Sequence, residues 1–88
     1  MNAPAPRSPA GAVVTGAGRG LGRRLAGLLA ERGHRVLVTD VDGDAAKVAA
    51  AEIGSGAEAF TLDVTSESQV LAARDRIVEW AGRLDIWV

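Results

Sequence analysis

Thr15-Gly16-Ala17-Gly18-Arg19-Gly20-Leu21-Gly22 is the stretch on which the fold of this 88-residue chain turns. A short apolar run, Ala12-Val13-Val14, leads into it, and helical periodicity begins at Leu21. A strand feeding a glycine-rich turn that opens a helix is a phosphate-binding layout. The turn brings backbone N–H groups close to an anion, and the first helical turn adds its unpaired donors and its dipole. Glycine is required where a Cβ would block the ligand or forbid the φ angle.

Spacing narrows the possibilities. The dinucleotide fingerprint G-x-G-x-x-G needs glycine at 16, 18 and 21, but position 21 is Leu21. The P-loop pattern G-x-x-x-x-G-K-[ST] fails at the same position, and no lysine follows. The pattern that fits is Gly16-x-x-x-Gly20-x-Gly22, preceded by Thr15. In this the stretch resembles the short-chain dehydrogenase/reductase family, whose cofactor motif is T-G-x-x-x-G-x-G. The resemblance implies that Thr15, Gly16, Arg19, Gly20, Leu21 and Gly22 belong to a cofactor-binding loop.

Outward from the loop the chain alternates. Gly11–Thr15 reads as a first strand, apolar on both faces as a central parallel strand is. A helix follows from Gly20 or Leu21 to Arg32, with Leu21, Leu25, Leu28 and Leu29 as its apolar stripe and Ala26, Gly27 and Ala30 keeping it slim. Gly33 stops it, and His34 reads as a solvated connector. Arg35–Thr39 is a second strand ending at Asp40, and Asp42 is a candidate N-cap for an alanine-rich helix that reaches Ile53. Ala57–Leu62 is a third strand with Phe60 and Leu62 on one face. Thr65 or Ser66 caps a third helix, and Ser66 with Gln69 fits the capping-box pattern. Val70, Ala73, Ile77, Trp80 and Ala81 line one side of that helix, with Trp80 as core, and Leu84–Val88 begins a fourth strand. The order β-α-β-α-β-α-β predicts an α/β fold with a doubly wound parallel sheet. Its expected strand order is 3-2-1-4, with the first two helices on one face and the third on the other. The resemblance makes this a partial Rossmann-type domain over residues 11–88, behind a loose proline-bearing tail at 1–10.

Composition bounds the function. Hydrophobic content of 48% and charged content of 24% fit a packed domain rather than a disordered one. A net charge of −1 gives no electrostatic case for nucleic acid or an anionic membrane. With no cysteine and one histidine, neither a disulfide framework nor a zinc site is expected, so no metal is assigned. No apolar h-region or membrane-length run is present, and a cytoplasmic location is the expectation.

Asp40 is the second informative position. An acidic residue at the carboxyl end of the second strand can accept hydrogen bonds from the adenosine ribose hydroxyls of NAD. A 2′-phosphate would instead face it: at ~4 Å and an effective dielectric of about 20, one like-charge pair costs about 4 kcal/mol. Arg19 argues the other way, because NADP-dependent members of the family often carry a basic residue there. Members that use NAD carry it too, so Asp40 decides and NAD is expected over NADP. The resemblance further implies that Asp63 accepts from the adenine amine while Val64 packs near the ring. Arg23 and Arg24 read as a solvated helix face.

Leu84-Asp85-Ile86-Trp87-Val88 resembles the lead-in to the family's N-N-A-G segment. The family's catalytic serine and Tyr-x-x-x-Lys pair have nothing to map onto, since the chain has no tyrosine and its only lysine is Lys47. No catalytic residue is therefore assigned. The expectation is an N-terminal fragment of an NAD(P)-dependent oxidoreductase, inactive by itself, whose intact form acts on an alcohol or carbonyl compound and is a homo-oligomer. The competing reading is a stand-alone NAD-binding module without turnover. Coding sequence beyond codon 88 that holds N-N-A-G and Tyr-x-x-x-Lys would separate the two.

Overall fold

The computed structural model describes residues 10–88; nearly all of the expected N-terminal tail lies outside the described residues. Seven elements run in order: β1 (Gly11–Val14), α1 (Gly20–Glu31), β2 (Arg35–Asp40), α2 (Gly43–Ile53), β3 (Ala57–Thr61), α3 (Glu67–Ala81) and β4 (Ile86–Trp87). All strand pairs are parallel and the sheet order is β3-β2-β1-β4, as the alternation predicts. In register, Ala12 lies opposite Val36 on one side and Ile86 on the other.

The two central strands are apolar on both faces because both faces are covered. Ala12, Val14, Val36 and Val38 pack with Ala26 of α1 and with Ala46, Ala49 and Ala50 of α2. Val13 and Leu37 point the other way, onto Ala73 and Ile77 of α3, with Leu62 alongside and Phe60 packed against them. Branched side chains suit the strands, and alanines on the helices let the layers approach closely. Trp80 packs against the α3 side of the core, with the guanidinium carbons of Arg35 and Arg76 each 5.9 Å from its ring centroid.

One helix face differs from the sequence expectation. Leu21 is 83% exposed and Leu28 is 49% exposed, so the stripe that meets the sheet runs through Leu25, Ala26, Leu29 and Ala30. The cause is at the start of α1. A Cβ on Gly22 would stand 2.6 Å from the Gly16 carbonyl oxygen, so this side of the helix is seated directly on the glycine loop. That seating turns Leu21 and Leu28 outward.

Helix ends follow their caps. Asp42 accepts from the Ala45 N–H at 3.1 Å and opens α2; Ser66, rather than Thr65, accepts from the Gln69 N–H at 3.3 Å and opens α3. The expected capping box is only half made. The Gln69 Oε1 accepts from the Asp63 N–H at 2.8 Å, while the Ser66 N–H donates to the Asp63 carbonyl. The fourth strand is shorter than Leu84–Val88, although the Asp85 N–H still donates to the Gly11 carbonyl at 2.8 Å and the Val88 N–H to Val13 at 2.9 Å. His34 also departs from expectation: it is half-buried, and its Nδ1 is buried with no hydrogen-bond partner among the described residues. Arg23, read as solvated, reaches across to Glu52 of α2 at 2.9 Å. No helix among the described residues is long and apolar enough to cross a membrane.

Candidate functional site

The glycine loop sits at the carboxyl end of β1, beside the carboxyl ends of β2 and β3. Two glycines hold backbone conformations that other residues rarely adopt, Gly16 at φ +61° and Gly20 at φ +63°. Gly22 is needed for a different reason, the contact of α1 with the Gly16 backbone.

Several bonds fix the loop from below. The Ala17 N–H donates to the Thr39 carbonyl at 2.8 Å. Thr39 is fully buried, and its hydroxyl donates to the Val14 carbonyl at 2.9 Å, so the one buried polar side chain beneath the loop is satisfied. Thr15 gives both its N–H and its hydroxyl to the Val88 carbonyl, at 2.8 and 2.7 Å. The side chain of the motif's threonine therefore fastens the loop to β4's trailing residue.

The start of α1 is left open. Arg19 at its N-cap makes no side-chain cap, and its first turn holds no acidic residue. By contrast α2 and α3 are capped by Asp42 and Ser66 and carry Asp44 and Glu67 in their first turns. The first N–H groups of any α-helix lack intrahelical acceptors, and an uncapped start without a nearby carboxylate is suited to an anion.

Asp40 bridges two loops. Its Oδ2 accepts from the Gly18 N–H and its Oδ1 from the Asp42 N–H, both at 3.0 Å. A Cβ at position 18 would lie 2.9 Å from that Oδ2 and 2.8 Å from the Ala45 Cβ. Gly18 therefore carries as much of the geometry as the motif glycines, although the family spacing treats it as variable. Arg19 does not pair with Asp40; its Nη2 meets the Asp42 Oδ2 at 2.8 Å.

Asp63 is held by Thr65, two residues on. Its Oδ1 accepts from the Thr65 hydroxyl at 2.6 Å and the Thr65 N–H at 2.9 Å, and these bonds hold its carboxyl below the ordinary carboxylate value. Together with the Gln69 bond to its N–H, they orient the Asp63 backbone and side chain at once. Nothing in the sequence spacing singles out Gln69 for this, because the capping-box pattern assigns it elsewhere.

An open cleft of about 370 Å³ brings Thr15, Gly16, Asp40, Val41, Leu62, Asp63 and Val64 together. Thr15, Gly16, Asp40, Asp63 and Val64 are expected there from sequence, and Val41 and Val64 present exposed apolar surface, at 71% and 60%. Arg19, Gly20, Leu21 and Gly22 lie outside this lining, on the helix side of the loop. The arrangement offers free helix-start donors, two carboxylates and an apolar wall. Those are the groups that a nucleotide's phosphate, ribose and base would meet.

A family model described as short chain dehydrogenase matches residues 10–88. The chain is 38% identical over 77 residues to a sorbitol dehydrogenase of Cereibacter sphaeroides, covering 88% of this chain and 30% of that protein. It is 46% identical over 79 residues to a cis-4-hydroxycyclohexanecarboxylate dehydrogenase of Sinomonas cyclohexanicum, covering 88% and 32%. Among solved structures it superposes on a 3-ketoacyl-(acyl-carrier-protein) reductase from Brucella melitensis complexed with NADH. The TM-score is 0.82 and the identity 37%, over 86% of this chain and 31% of the other. The chain thus spans about a third of the length of the relatives it matches.

Proposed function

The chain belongs to the short-chain dehydrogenase family, and from that premise we propose that it is the nucleotide-holding part of an NAD(P)-dependent oxidoreductase acting on an alcohol or carbonyl compound, with NAD favoured over NADP. The observation that carries this is the convergence of Asp40 and Asp63 with Thr15 and Gly16 on one cleft, next to the uncapped start of α1. The residues suit the cofactor. Gly16, Gly20 and Gly22 let the backbone approach the pyrophosphate, and the N–H groups of the first turn of α1, from Gly20 to Gly22, face it as donors. Asp40 accepts from the ribose hydroxyls, Asp63 from the adenine amine, and Val41 and Val64 cover the base. When bound, the nicotinamide supplies or takes the hydride.

Asp40 is the residue on which the choice of cofactor turns. Both of its oxygens are already oriented by N–H donors, so the carboxylate is held in place before a ligand arrives, which supports its role toward the ribose. Asp40→Ala is expected to shift the NAD+ to NADP+ affinity ratio by about tenfold toward NADP+: a like-charge contact with the 2′-phosphate disappears, and at this half-buried carboxylate solvent and salt screen it well below the unscreened Coulomb figure. Calorimetric titration with both nucleotides checks it. The ratio is the readout because lost loop tethering weakens both nucleotides alike. An unchanged ratio would remove Asp40 from the ribose role.

The 88 residues by themselves are expected to give no turnover. A side chain must reach the substrate oxygen to take its proton as an alcohol is oxidised or return it as a carbonyl is reduced; the chain has no tyrosine, and its only lysine, Lys47, is exposed on α2. NADH absorbance followed with NAD+ and a panel of secondary alcohols tests this. Steady production above the blank would show that another side chain does the proton transfer.

A further inference from the structure

Arg19 is the only cation in the glycine loop, and loose at the nucleotide site it would be suited to a phosphate. A guanidinium presents a fork of donors that matches phosphate geometry. Its side chain is 73% exposed, yet it is engaged: Nη2 stands 2.8 Å from the Asp42 Oδ2. The partner is itself already fixed. Asp42 splits its carboxylate, Oδ1 capping α2 through the Ala45 N–H and Oδ2 meeting Arg19, while its own N–H is held by Asp40 Oδ1. Arg19 follows Gly18, whose N–H is on the other oxygen of Asp40. The ion pair therefore joins the same two loops that Asp40 joins, and the loop's cation is engaged by a cap residue that is itself tied to α2 and to Asp40.

We propose that Asp42 is a positioning residue for cofactor choice: by holding the Arg19 guanidinium it withholds from a 2′-phosphate the one loop cation that could offset Asp40. The proposal rests on the cleft being a nucleotide site. A pair this exposed adds little to stability, so its effect is on what the loop can bind. Preference for the unphosphorylated ribose then has two parts, repulsion from Asp40 and the engagement of Arg19 by Asp42.

The test is a cycle of four intact chains, unaltered, Asp42→Asn, Arg19→Gln and the pair combined, each titrated calorimetrically with NAD+ and NADP+. Asparagine caps helices as well as aspartate, so α2 keeps its start while the charge is removed. A second variant, Asp42→Ser, guards against an idiosyncratic asparagine contact, and thermal melts within 2 °C of the unaltered chain establish that the cap is kept, with 2 °C being roughly half the shift that 1 kcal/mol gives a domain this size. Asp42→Asn is expected to tighten NADP+ about fivefold and leave NAD+ within about twofold, the size expected for release of an exposed ion pair. Adding Arg19→Gln to Asp42→Asn should abolish the gain, whereas Arg19→Gln alone should leave NADP+ binding within about twofold. An unmoved ratio in both Asp42 variants overturns the proposal. So does an equal NADP+ gain with and without Arg19, because that would be loss of a negative charge rather than release of a cation. If the unaltered chain binds neither nucleotide, the reading of the cleft fails; if it prefers NAD+ and only the cycle is flat, Asp42 alone is wrong.

Discussion

Gly22→Ala is expected to weaken NAD+ binding by about 100-fold or more, close to 2.7 kcal/mol. The added Cβ would stand 2.6 Å from the Gly16 carbonyl oxygen, 3.0 Å from its carbonyl carbon and 3.2 Å from the Ala17 Cα. All three are backbone atoms of the loop, so no side chain can turn aside to make room. Either α1 backs off the sheet or the loop opens, and both outcomes displace the donors of Gly20 and Leu21 from Gly16. Overpacking against such a neighbour costs typically 1–3 kcal/mol, and here the strain falls on the binding geometry itself. The control is Gly27→Ala on the same helix, where the nearest atom is the Ile53 Cγ1 at 4.0 Å. That change should leave binding unaltered and raise stability by up to about 1 kcal/mol through helix propensity. Titration with NAD+ and a thermal melt on both variants decide it. Gly22→Ala binding within threefold of the unaltered chain would mean the loop is not seated as described.

Gly11→Ala carries the largest stability effect. Its Cβ would lie 1.9 Å from the Arg83 carbonyl oxygen and 3.1 Å from the Ile77 Cγ1. The α3–β4 connection would have to move away from β1. Two bonds go with it, from the Asp85 N–H to the Gly11 carbonyl and from the Gly11 N–H to the Asp85 Oδ2 at 3.2 Å. A cost of about 3 kcal/mol or more is expected, which lowers the melting temperature of a domain this size by roughly 15 °C. A melt within a few degrees of the unaltered chain would contradict the contact.

The sequence reveals the strands, their order and most of the residues that line the cleft because each carries a local signal. Continuous apolar runs at Ala12–Val14 and Val36–Val38 mark strands buried on both faces, and Asp42 and Ser66 announce helix starts by side-chain chemistry. What is not legible depends on atoms distant in sequence. Leu21 and Leu28 fit an apolar period, but which side of α1 meets the sheet is set by Gly22 touching Gly16. Gly18 and Gly11 look like ordinary glycines until Asp40, Ala45 and Arg83 come beside them. The capping-box pattern aims the Gln69 side chain at the Ser66 N–H, but the β3–α3 turn gives that N–H to the Asp63 carbonyl and brings the Asp63 N–H to Gln69 instead. Sequence sets Arg19 against Asp40, whereas its partner in the fold is the aspartate two residues further on.

The position of β1 between β2 and β4 has a consequence for the order of folding. On the β2 side its partners arrive soon after it leaves the ribosome; on the β4 side they arrive only with residues such as Asp85, 74 positions from Gly11. A nascent chain can therefore assemble β1, β2 and β3 with α1 and α2 while one edge of β1 and the Val13–Leu37 face are still bare. Closing so long a loop is entropically costly and slow compared with forming the local βαβ units. For that interval the central strand offers unpaired backbone groups to any other extended segment, and the seating of α3 and β4 is the step that ends the exposure.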